Sequence, residues 1–330
     1  MRRVPVGAAL LTDLGLGCAP IGNLHRAIDE ETATGTVRAA YDAGVRFFDT
    51  APHYGLGLSE RRIGAALAGL PRSSYAISTK VGRRLVPVDD PVGTDEANGF
   101  AVPADYRRVW DFSRDGIRRT LDTSLNRLRT DRIDVLLMHD PEECGPRAVD
   151  EGYPALAELR AAGAVRAIGV GSKRADVLAR VVRRTDVDLV LLAGRYTLLE
   201  QGALDELLPL CEARGVLVLA AGVFNSGLLA TDHPADGDTY EYVPAPAPIL
   251  DRARRLAAIC AEYGVPLPAA ALQFVRAHPA VAGVVVGCDS PGQIASNVDS
   301  WTAPIPGALW TRLRTEGLLR GDAPLPVGTA

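Results

Sequence analysis

Residues 46–55 read RFFDTAPHYG, the pattern of a short buried strand that ends abruptly in a loop. Proline cannot donate a hydrogen bond to a sheet and keeps the residue before it extended. Pro52 therefore separates the strand at residues 45–49 from a loop that carries Tyr54. Asp49 closes the strand, and an unpaired carboxylate in such a buried position costs several kcal/mol. We therefore expect Asp49 to have a cationic partner.

The same alternation of strand and helix recurs along the chain and indicates the fold. Continuously apolar strands are predicted at residues 14–18, 45–49, 75–81, 133–139, 167–172, 189–193, 216–221 and 284–287. Helices are predicted at residues 30–43, 58–70, 113–128, 151–162, 175–184, 201–214, 249–263 and 268–277. Apolar strands that alternate with helices indicate a parallel sheet covered by helices. Eight such units predict an α/β protein with a single (β/α)8 TIM barrel over residues 1–330.

Short segments at both ends extend the predicted barrel. Residues 4–6 and 8–11 predict an N-terminal β-hairpin, residues 293–298 begin the last barrel helix, and residues 308–316 predict an appended C-terminal helix. A doubly wound open sheet is the alternative fold. It is weakened because no G-x-G-x-x-G motif follows the first predicted strand.

Two long stretches, residues 82–111 and 225–248, lack a regular pattern and are predicted as irregular loops. Each follows a barrel strand and therefore lies on the carboxyl face of the barrel, where barrel enzymes build their active sites. Loops of this length inside a compact domain are usually functional. We expect both to form walls of a binding site.

Composition and charge narrow the class of protein. The chain has 330 residues, 47% of them apolar and 23% charged, which is typical of a globular protein with an ample core. A net charge of −4 without a basic stripe argues against a nucleic-acid partner. No apolar run reaches the roughly 18 residues that a membrane span needs, and no secretory signal opens the chain. A cytoplasmic protein without a membrane partner is expected.

Cysteine and histidine spacing gives no sign of a disulfide framework or a metal site. The cysteines are scattered and odd in number, which favours free thiols. They are Cys18, Cys144, Cys211, Cys260 and Cys288. The histidines show neither H-x-H nor H-E-x-x-H spacing, so no metal is expected. They are His25, His53, His139, His233 and His278.

A barrel brings the ends of its strands to one rim, so Asp49, Lys80 and His139 are expected together, with Tyr54 in the loop above. This set suits proton transfer. A free tyrosine titrates near ~10, and a neighbouring ammonium favours the phenolate and lowers that pKa, while Asp49 holds the ammonium in place. His139 is placed to hydrogen-bond a substrate oxygen. The four suit hydride transfer at a carbonyl or carbinol carbon, with Tyr54 moving the proton and a cofactor carrying the hydride.

Each of these residues also has an ordinary structural explanation. An aspartate and a lysine at strand ends can form a structural ion pair, a histidine after an apolar run can satisfy a local hydrogen bond, and a loop tyrosine can serve packing. Four such residues at adjacent strand ends favour a catalytic site over four separate structural roles.

The residues of this cluster resemble the catalytic signature of the aldo-keto reductases. The resemblance is carried by FDTAPHYG at residues 48–55, STK at 78–80, LMH at 137–139, IGVGS at 168–172 and the closing segment at 286–297. It covers nearly the whole chain. It implies a (β/α)8 barrel and an extended nicotinamide cofactor bound without a Rossmann motif. It also implies a catalytic tetrad of Asp49, Tyr54, Lys80 and His139.

The resemblance further implies a set of cofactor contacts. They are Gly17, Ser172, Ala221, Phe224, Ser226, Gly287, Cys288, Asp289, Gln293 and Asn297. Ala221 holds the place of a tyrosine that usually stacks on the nicotinamide. Gln293 holds the place of an arginine that pairs with the 2′-phosphate in NADP-preferring members. No cation remains there and Asp289 would repel the phosphate, so NAD is expected to be preferred over NADP.

Within the family, GRYTLLEQ at residues 194–201 and FNSGLL at residues 224–229 resemble the D-threo-aldose 1-dehydrogenases, also called L-fucose dehydrogenases. This implies oxidation of the anomeric hydroxyl of an aldose to the lactone, with Tyr54 as acid or base. His53, Trp110 and Phe224 are candidate substrate contacts, because a sugar packs its C–H face on rings and needs polar partners for its hydroxyls. Trp110 has an equally good structural role in pinning the long loop.

Other functions stay open at this point. A pyridoxal 4-dehydrogenase or a general aldehyde or ketone reductase would use the same tetrad. A non-catalytic barrel that binds a nicotinamide cofactor and regulates a partner is disfavoured, since a binder need not keep Tyr54 and Lys80 together. A Schiff-base lyase acting through Lys80 is disfavoured because Asp49 keeps the amine charged. The expected partner is a small sugar or aldehyde, and the expected state is a monomer or homodimer.

Overall fold

A computed structural model describes residues 1–145 and 147–327 of the chain. In these residues the strands are β1 (Arg3–Val6), β2 (Ala9–Thr12), β3 (Leu14–Gly17), β4 (Phe47–Asp49), β5 (Ala76–Val81), β6 (Arg83–Pro87), β7 (Tyr106–Trp110), β8 (Ile133–His139), β9 (Val165–Ser172), β10 (Leu189–Ala193), β11 (Leu217–Ala221), β12 (Thr239–Tyr240), β13 (Val243–Pro244) and β14 (Val281–Gly287). The helices are α1 (Glu30–Asp42), α2 (Leu58–Leu67), α3 (Arg114–Leu128), α4 (Ala148–Ala161), α5 (Ala175–Arg184), α6 (Leu207–Arg214), α7 (Ala247–Glu262), α8 (Leu267–Val275), α9 (Pro291–Thr302) and α10 (Gly307–Thr315).

In the described residues, eight parallel strands close into a barrel in the order β10-β11-β14-β3-β4-β5-β8-β9. Helices lie between successive barrel strands, which confirms the predicted (β/α)8 fold. The strand register sets Asp49 opposite Ser78 of β5 and opposite Gly17 of β3. The carboxyl ends of neighbouring strands therefore meet at one rim, as the fold requires.

Two layers of apolar side chains hold the barrel together. Inside it, Phe47 and Leu219 pack with Val6 and Leu11 of the N-terminal hairpin, in which β1 pairs with β2. This hairpin covers the amino end of the barrel, and its backbone is tied there by a 3.0 Å hydrogen bond from Ala8 to the carbonyl of Arg166. The larger layer lies between the barrel and its helices. The rim that carries the predicted site is the opposite, open end.

Helix α6 starts later than predicted. The sequence pattern predicts a helix from residue 201, whereas the structure has a short 3-10 turn at Gly202–Leu204 and begins α6 at Leu207. The reason is Pro209, which has no backbone N–H and whose ring would clash with a carbonyl of the preceding turn in a helix interior. Starting at Leu207 places this proline in the first turn, where it is tolerated.

The two stretches predicted as irregular loops contain regular structure. In residues 82–111, β6 and β7 form an antiparallel ribbon, and Leu24 makes an isolated bridge to Phe100. In residues 225–248, β12 and β13 form a short second ribbon. Pairing between strands satisfies backbone groups that a disordered loop would leave to water. Both ribbons lie on the carboxyl side of the barrel, where the loops were expected.

No single helix in the described parts of the chain is long and apolar enough to cross a membrane, although α7 and α8 together reach that length and composition across a 102° bend.

Candidate active site

Asp49, Lys80 and Tyr54 form a continuous hydrogen-bonded chain at the rim. The Lys80 ammonium donates to Asp49 Oδ2 at 2.7 Å, to the carbonyl oxygen of Thr50 at 2.9 Å and to the Tyr54 hydroxyl at 3.1 Å. Ser78 donates to the other oxygen of Asp49 at 2.6 Å. Lys80 is 2% exposed and Asp49 is 3% exposed. The buried carboxylate therefore has the cationic partner that the sequence predicts.

Lys80 stays charged in this setting. Burial lowers its pKa, but the charges of Asp49 and Tyr54 and their hydrogen bonds more than offset burial, so the pKa of Lys80 stands above its usual range. An ammonium is a poor nucleophile, which does not favour Schiff-base chemistry at this lysine.

Close backbone packing fixes the position of Tyr54. Gly55 has a φ of +59°, and a Cβ at this position would lie 2.2 Å from the carbonyl oxygen of Gly22. A Cβ at Gly22 would in turn lie 2.8 Å from the carbonyl carbon of Tyr54. Only glycine allows the two segments to approach this closely. The tyrosine is therefore held by its backbone as well as by Lys80.

Burial dominates the protonation of Tyr54. It raises the pKa of Tyr54 to about 12, although the neighbouring Lys80 acts in the opposite direction. Lys80 acts in the expected direction, but the pKa of Tyr54 still lies above its ordinary value because burial outweighs the ammonium. The lysine limits the rise rather than reversing it, because the phenolate is costly to form in a buried site.

His139 is buried and neutral beside the tyrosine. The two rings meet edge to face with centroids 5.8 Å apart, and His139 is 7% exposed. Burial, followed by the charges of Arg83 and Lys80, brings the pKa of His139 well below its ordinary value. No protein group in the described residues bonds to its Nδ1. A neutral imidazole at this point can donate or accept a hydrogen bond without adding charge to the site.

A cavity of about 530 Å³ opens onto these residues. We call it the central cavity. It is lined by Tyr54, Lys80 and His139 and by three of the predicted ligand contacts, His53, Ser172 and Ser226. The structure thus brings the predicted tetrad, with Asp49 behind Lys80, to one site.

Two predicted substrate contacts lie outside the central cavity. Phe224 is partly buried and packs against the apolar layer between barrel and helices. Trp110 is 38% exposed and stacks on Phe112 with ring centroids 6.0 Å apart. The guanidinium of Arg83 lies over the indole of Trp110, 4.5 Å from the ring centroid. Trp110 therefore contacts a cavity residue without reaching the cavity itself.

Arg83 and Arg108 are site residues that the sequence analysis missed. Arg83 lines the central cavity and pairs with Asp140. Arg108 lies behind His53, donates to its Nδ1 and binds Asp95 with both ends of its guanidinium, one contact being 2.7 Å. Both arginines come from the β6–β7 ribbon. The sequence carries no signal that identifies them, because nothing in an arginine-rich stretch indicates which side chain points toward the cavity.

The segment after β14 was predicted to hold the adenosine end of a cofactor. Gly287 ends the strand and is exposed, and the buried thiol of Cys288 accepts a hydrogen bond from Asn297 at 3.1 Å. Gln293 Oε1 accepts from the backbone N–H of Asp289 at 2.9 Å. Ser290 caps the start of α9, so these groups surround a helix N-terminus, which favours anions.

The expectation that no cation remains near this segment is wrong. Arg26, in the loop before α1, donates to Asp289 at 2.8 Å through Nε and lies 2.6 Å from it through Nη2. The carboxylate of Asp289 is therefore neutralised. The two residues are 263 positions apart, so only the closed barrel brings them together.

The rim fits an extended dinucleotide. Gly17 and Ala221 end their strands with little or no side chain, and a Cβ at Gly17 would already lie 3.1 Å from Val285. Buried oxygens of Asn225 and Asp289 have no protein partner in the described residues. The open backbone beside the tetrad can contact a flat ring, and the unpartnered oxygens can accept polar hydrogens. The N-terminus of α9 can bind phosphates.

Comparison with known proteins agrees with the barrel fold. The model of the Aldo/keto reductase family matches residues 13–315. A D-threo-aldose 1-dehydrogenase from Pseudomonas sp is 48% identical over 309 residues, covering 93% of this chain and 94% of that protein. A pyridoxal 4-dehydrogenase from Microbacterium luteolum is 40% identical over 331 residues, covering 94% and 95%.

A solved structure shares the fold over almost its full length. The holo form of an aldo-keto reductase from Bacillus halodurans matches with a TM-score of 0.77 and 27% identity, covering 98% of each chain. The match spans the barrel and the loops at its carboxyl face.

Proposed function

The chain belongs to the aldo/keto reductase family, and from that premise we propose that it oxidises the anomeric hydroxyl of an aldose to the lactone. The proposed aldose is of the L-fucose or D-threo type. The observation that carries the reaction type is the hydrogen-bonded chain from Asp49 through Lys80 to Tyr54 beside a neutral His139. The choice of an aldose is supported by the similar Pseudomonas enzyme.

Proton transfer falls to Tyr54. Aldo-keto reductases use a nicotinamide cofactor, and in the oxidative direction its oxidised form, NAD+ or NADP+, would accept the hydride from the anomeric carbon. Tyr54, as phenolate, takes the proton of the anomeric hydroxyl, and the ammonium of Lys80 stabilises the phenolate until then. The C–O bond becomes a carbonyl as the C–H bond breaks, so the sugar loses a hydride, which carries two electrons, and separately loses the hydroxyl proton to Tyr54. In the reverse direction Tyr54, as phenol, donates the proton.

His139 is proposed to orient the reacting oxygen. Its ring meets Tyr54 edge to face, and it stays neutral because burial and nearby cations suppress its protonation. A neutral N–H donor can hold the oxygen without competing with Tyr54 as a proton source. This division leaves one acid–base group and one positioning group at the reacting carbon.

The charges of the central cavity suit a neutral, hydroxyl-rich substrate. Lys80 pairs with Asp49, and Arg83 pairs with Asp140. Arg195, on another wall, pairs with Glu241. Because these cations already have carboxylate partners, a substrate carboxylate would have to displace one of them. Sugar hydroxyls can instead donate to the carboxylates and accept from the cations.

NAD is proposed as the preferred nucleotide. Gln293 carries no charge, and Arg26 is already paired with Asp289, so a 2′-phosphate would have to compete for the arginine. A 2′-hydroxyl could donate to the unpartnered Oδ1 of Asp289 without that cost.

A second candidate function is oxidation of pyridoxal at its aldehyde carbon, in the form in which that carbon carries a hydroxyl. The Microbacterium relative supports it, and the same proton-transfer group would serve. Pyridoxal differs from an aldose in having an aromatic ring that needs an apolar face. In the central cavity, Phe100 lies 5.2 Å from His53 by ring centroids and offers such a face.

The test is NADH or NADPH formation at 340 nm, with NAD and NADP in parallel. Substrates would be L-fucose, D-arabinose, L-galactose, L-xylose and pyridoxal. An NAD-linked rate on L-fucose or D-arabinose supports the proposal. Activity on pyridoxal alone would support the proposed catalytic residues and would show that the substrate is pyridoxal instead of an aldose. Cofactor binding without turnover of any of these substrates would favour the non-catalytic barrel that binds a cofactor and regulates a partner.

A further inference from the structure

Two hydrogen-bond donors face each other on the wall of the central cavity. The Nε2 of His53 and the Nη1 of Arg83 lie 3.4 Å apart, and both residues line the cavity. Arg83 lies in the β6–β7 ribbon and His53 in the loop after β4, so different elements bring them together. The chemistry of this contact depends on which nitrogen of the imidazole carries the proton.

The surroundings of His53 settle that question. Burial, then the charges of Arg83 and Arg108, lowers the pKa of His53 to about 2, so the ring is neutral near pH 7. Arg108 donates its Nε–H to the Nδ1 of His53, which must therefore be the acceptor nitrogen. In a neutral imidazole the proton then lies on Nε2. The nitrogen that faces Arg83 is thus a donor.

Arg83 also can only donate. Its Nη2 donates to Asp140, and its guanidinium carbon lies 4.5 Å from the ring centroid of Trp110. No protein group in the described residues accepts from its buried Nε. Since two N–H groups cannot bond to each other, neither His53 Nε2–H nor Arg83 Nη1–H is satisfied by this contact. Both residues line the central cavity, so an oxygen that enters the cavity can accept from both donors.

We propose that His53 Nε2–H and Arg83 Nη1–H form a donor pair that binds one hydroxyl oxygen of the substrate. That oxygen lies on the carbon next to the reacting carbon. The inference rests on the proposed function and deepens it, because it assigns Arg83 as a specificity-determining residue for a 2-hydroxy substrate. A hydroxyl oxygen can accept two hydrogen bonds at once and still donate one, here to Asp140.

The position of the donor pair supports this choice of hydroxyl. The ring of His53 lies 5.5 Å from that of His139 and 6.1 Å from that of Tyr54, centroid to centroid. These two residues hold the reacting oxygen in the proposed mechanism. The donor pair therefore lies beside the reacting carbon rather than at the far end of a sugar. The bond to Asp140 keeps Arg83 from carrying a free charge, so a hydroxyl is preferred over a carboxylate.

The test compares two sugars that differ only at this hydroxyl, D-arabinose and 2-deoxy-D-ribose. In the wild type, kcat/KM for D-arabinose should exceed that for the deoxy sugar roughly tenfold to hundredfold, as expected for a hydrogen bond to a charged donor. Arg83→Met should bring the two values within about threefold of each other, because D-arabinose loses a hydrogen bond that the deoxy sugar never makes. Arg83→Lys, which keeps a charge beside Asp140, should keep part of the discrimination.

The matched control is Arg84→Met. Arg84 is the next residue of the same strand and pairs with Asp111 instead of lining the cavity. It should discriminate between the sugars as the wild type does. The inference is overturned if Arg83→Met keeps the wild-type ratio, or if it slows both sugars equally. Thermal unfolding and cofactor binding identify a variant that has lost its fold. If Arg83→Met is such a variant, the ratio of kcat/KM for the two sugars in Arg83→Lys tests the inference instead.

A second pair of compounds separates this inference from the proposed function. D-glyceraldehyde and 3-hydroxypropanal differ by the hydroxyl next to the carbonyl, and both can be offered for reduction with NADH or NADPH. If the wild type oxidises no aldose but Arg83 governs this ratio, the proposed function fails and the donor pair stands. If aldoses are oxidised without any effect of Arg83, the reverse holds. A wild type that turns over neither pair overturns both.

Discussion

Tyr54 lies 3.1 Å from an ammonium and still has its pKa raised to about 12, because burial outweighs the lysine. The phenol is therefore the resting form near neutral pH. It is ready to donate a proton, whereas oxidation requires the phenolate. The rate of oxidation should thus depend on how much phenolate the site can form, and Lys80 is the group that favours it.

Oxidation should accelerate as the pH rises. The reactive form is the deprotonated one and its pKa lies far above 7, so kcat/KM, which reports the free enzyme, should rise close to tenfold per pH unit between about pH 7 and 10. Lys80→Met removes the charge that lowers this pKa and should reduce kcat/KM by roughly 10- to 1000-fold at each pH. Tyr54→Phe serves as control and should bind cofactor without turnover. A plateau already at pH 8 would contradict the assignment.

His53 should make the fold sensitive to acid. Its pKa is lowered by burial first and by two arginines, to about 2, so the folded state resists its protonation. The neutral imidazole contributes its full stability above the unfolded-state pKa of ~6.5, and this contribution is lost as the pH falls toward 2. The free energy of unfolding lost between pH 7.5 and pH 5 is about 2 kcal/mol. Urea unfolding at pH 7.5 and pH 5 measures the loss. His53→Gln should lose less than the wild type over this interval, and an equal loss would rule out the imidazole.

At the scale of elements, strands were predictable and the ribbons were not. Residues 133–139 and 189–193 were placed with their observed ends because a continuously apolar strand depends only on burial. The ribbon formed by β6 and β7 depends on pairing across a gap of nineteen positions between Pro87 and Tyr106. Its arginines have no apolar alternation to show which face is inward. The sequence pattern therefore predicted where this segment lies, but it did not predict that the segment forms a ribbon.

A buried ion pair within residues 82–111 positions Arg108 of the ribbon against His53 in the loop after β4. Asp95 is 6% exposed and binds both ends of the Arg108 guanidinium, which in turn holds His53. Asp95→Ala should leave a buried cation without a partner and lower the free energy of unfolding by about 3–5 kcal/mol.

Asp95→Asn keeps one acceptor oxygen and should lose less. Urea unfolding of both variants beside the wild type is the measurement. Equal stability of all three would show that the ribbon does not depend on this pair.

At the scale of the whole molecule, stability and chemistry lie at opposite ends of the barrel. Leu11 of the N-terminal hairpin is 1% exposed and packs inside the barrel at its amino end, while the predicted tetrad lies at the carboxyl rim. Leu11→Ala should lower the free energy of unfolding by about 2–5 kcal/mol through the lost contacts and the cavity left behind.

At temperatures where this variant stays folded, its kcat/KM should equal that of the wild type. Chemical unfolding and steady-state kinetics on the same preparation test both statements. A parallel fall in activity at low temperature would contradict the separation.

The closed barrel also explains which parts of the site the sequence could not reveal. Asp49, Lys80 and His139 were predictable because each lies at the last or next-to-last position of a strand, and all strand ends of a parallel barrel meet at one rim. Arg26 and Asp289 come from opposite ends of the chain, and only closure of β14 onto β3 brings their segments together. The shared rim of Asp49, Lys80 and His139 follows from the strand pattern, whereas the contact between Arg26 and Asp289 follows from tertiary structure.

The pairing of cations with carboxylates around the central cavity has a consequence for how a substrate arrives. Among the described lining residues, four cationic side chains are equalled in number by four carboxylates: Lys80, Arg83, Lys173 and Arg195 against Asp140, Glu142, Glu143 and Glu241. The fields of opposite charges largely cancel at distances near the Debye length, so the entrance of the cavity exerts little long-range attraction on a charged molecule. A neutral polyol is then captured by diffusion and shape alone. Its second-order rate of capture is indifferent to added salt, and abundant anionic metabolites gain no advantage at the entrance.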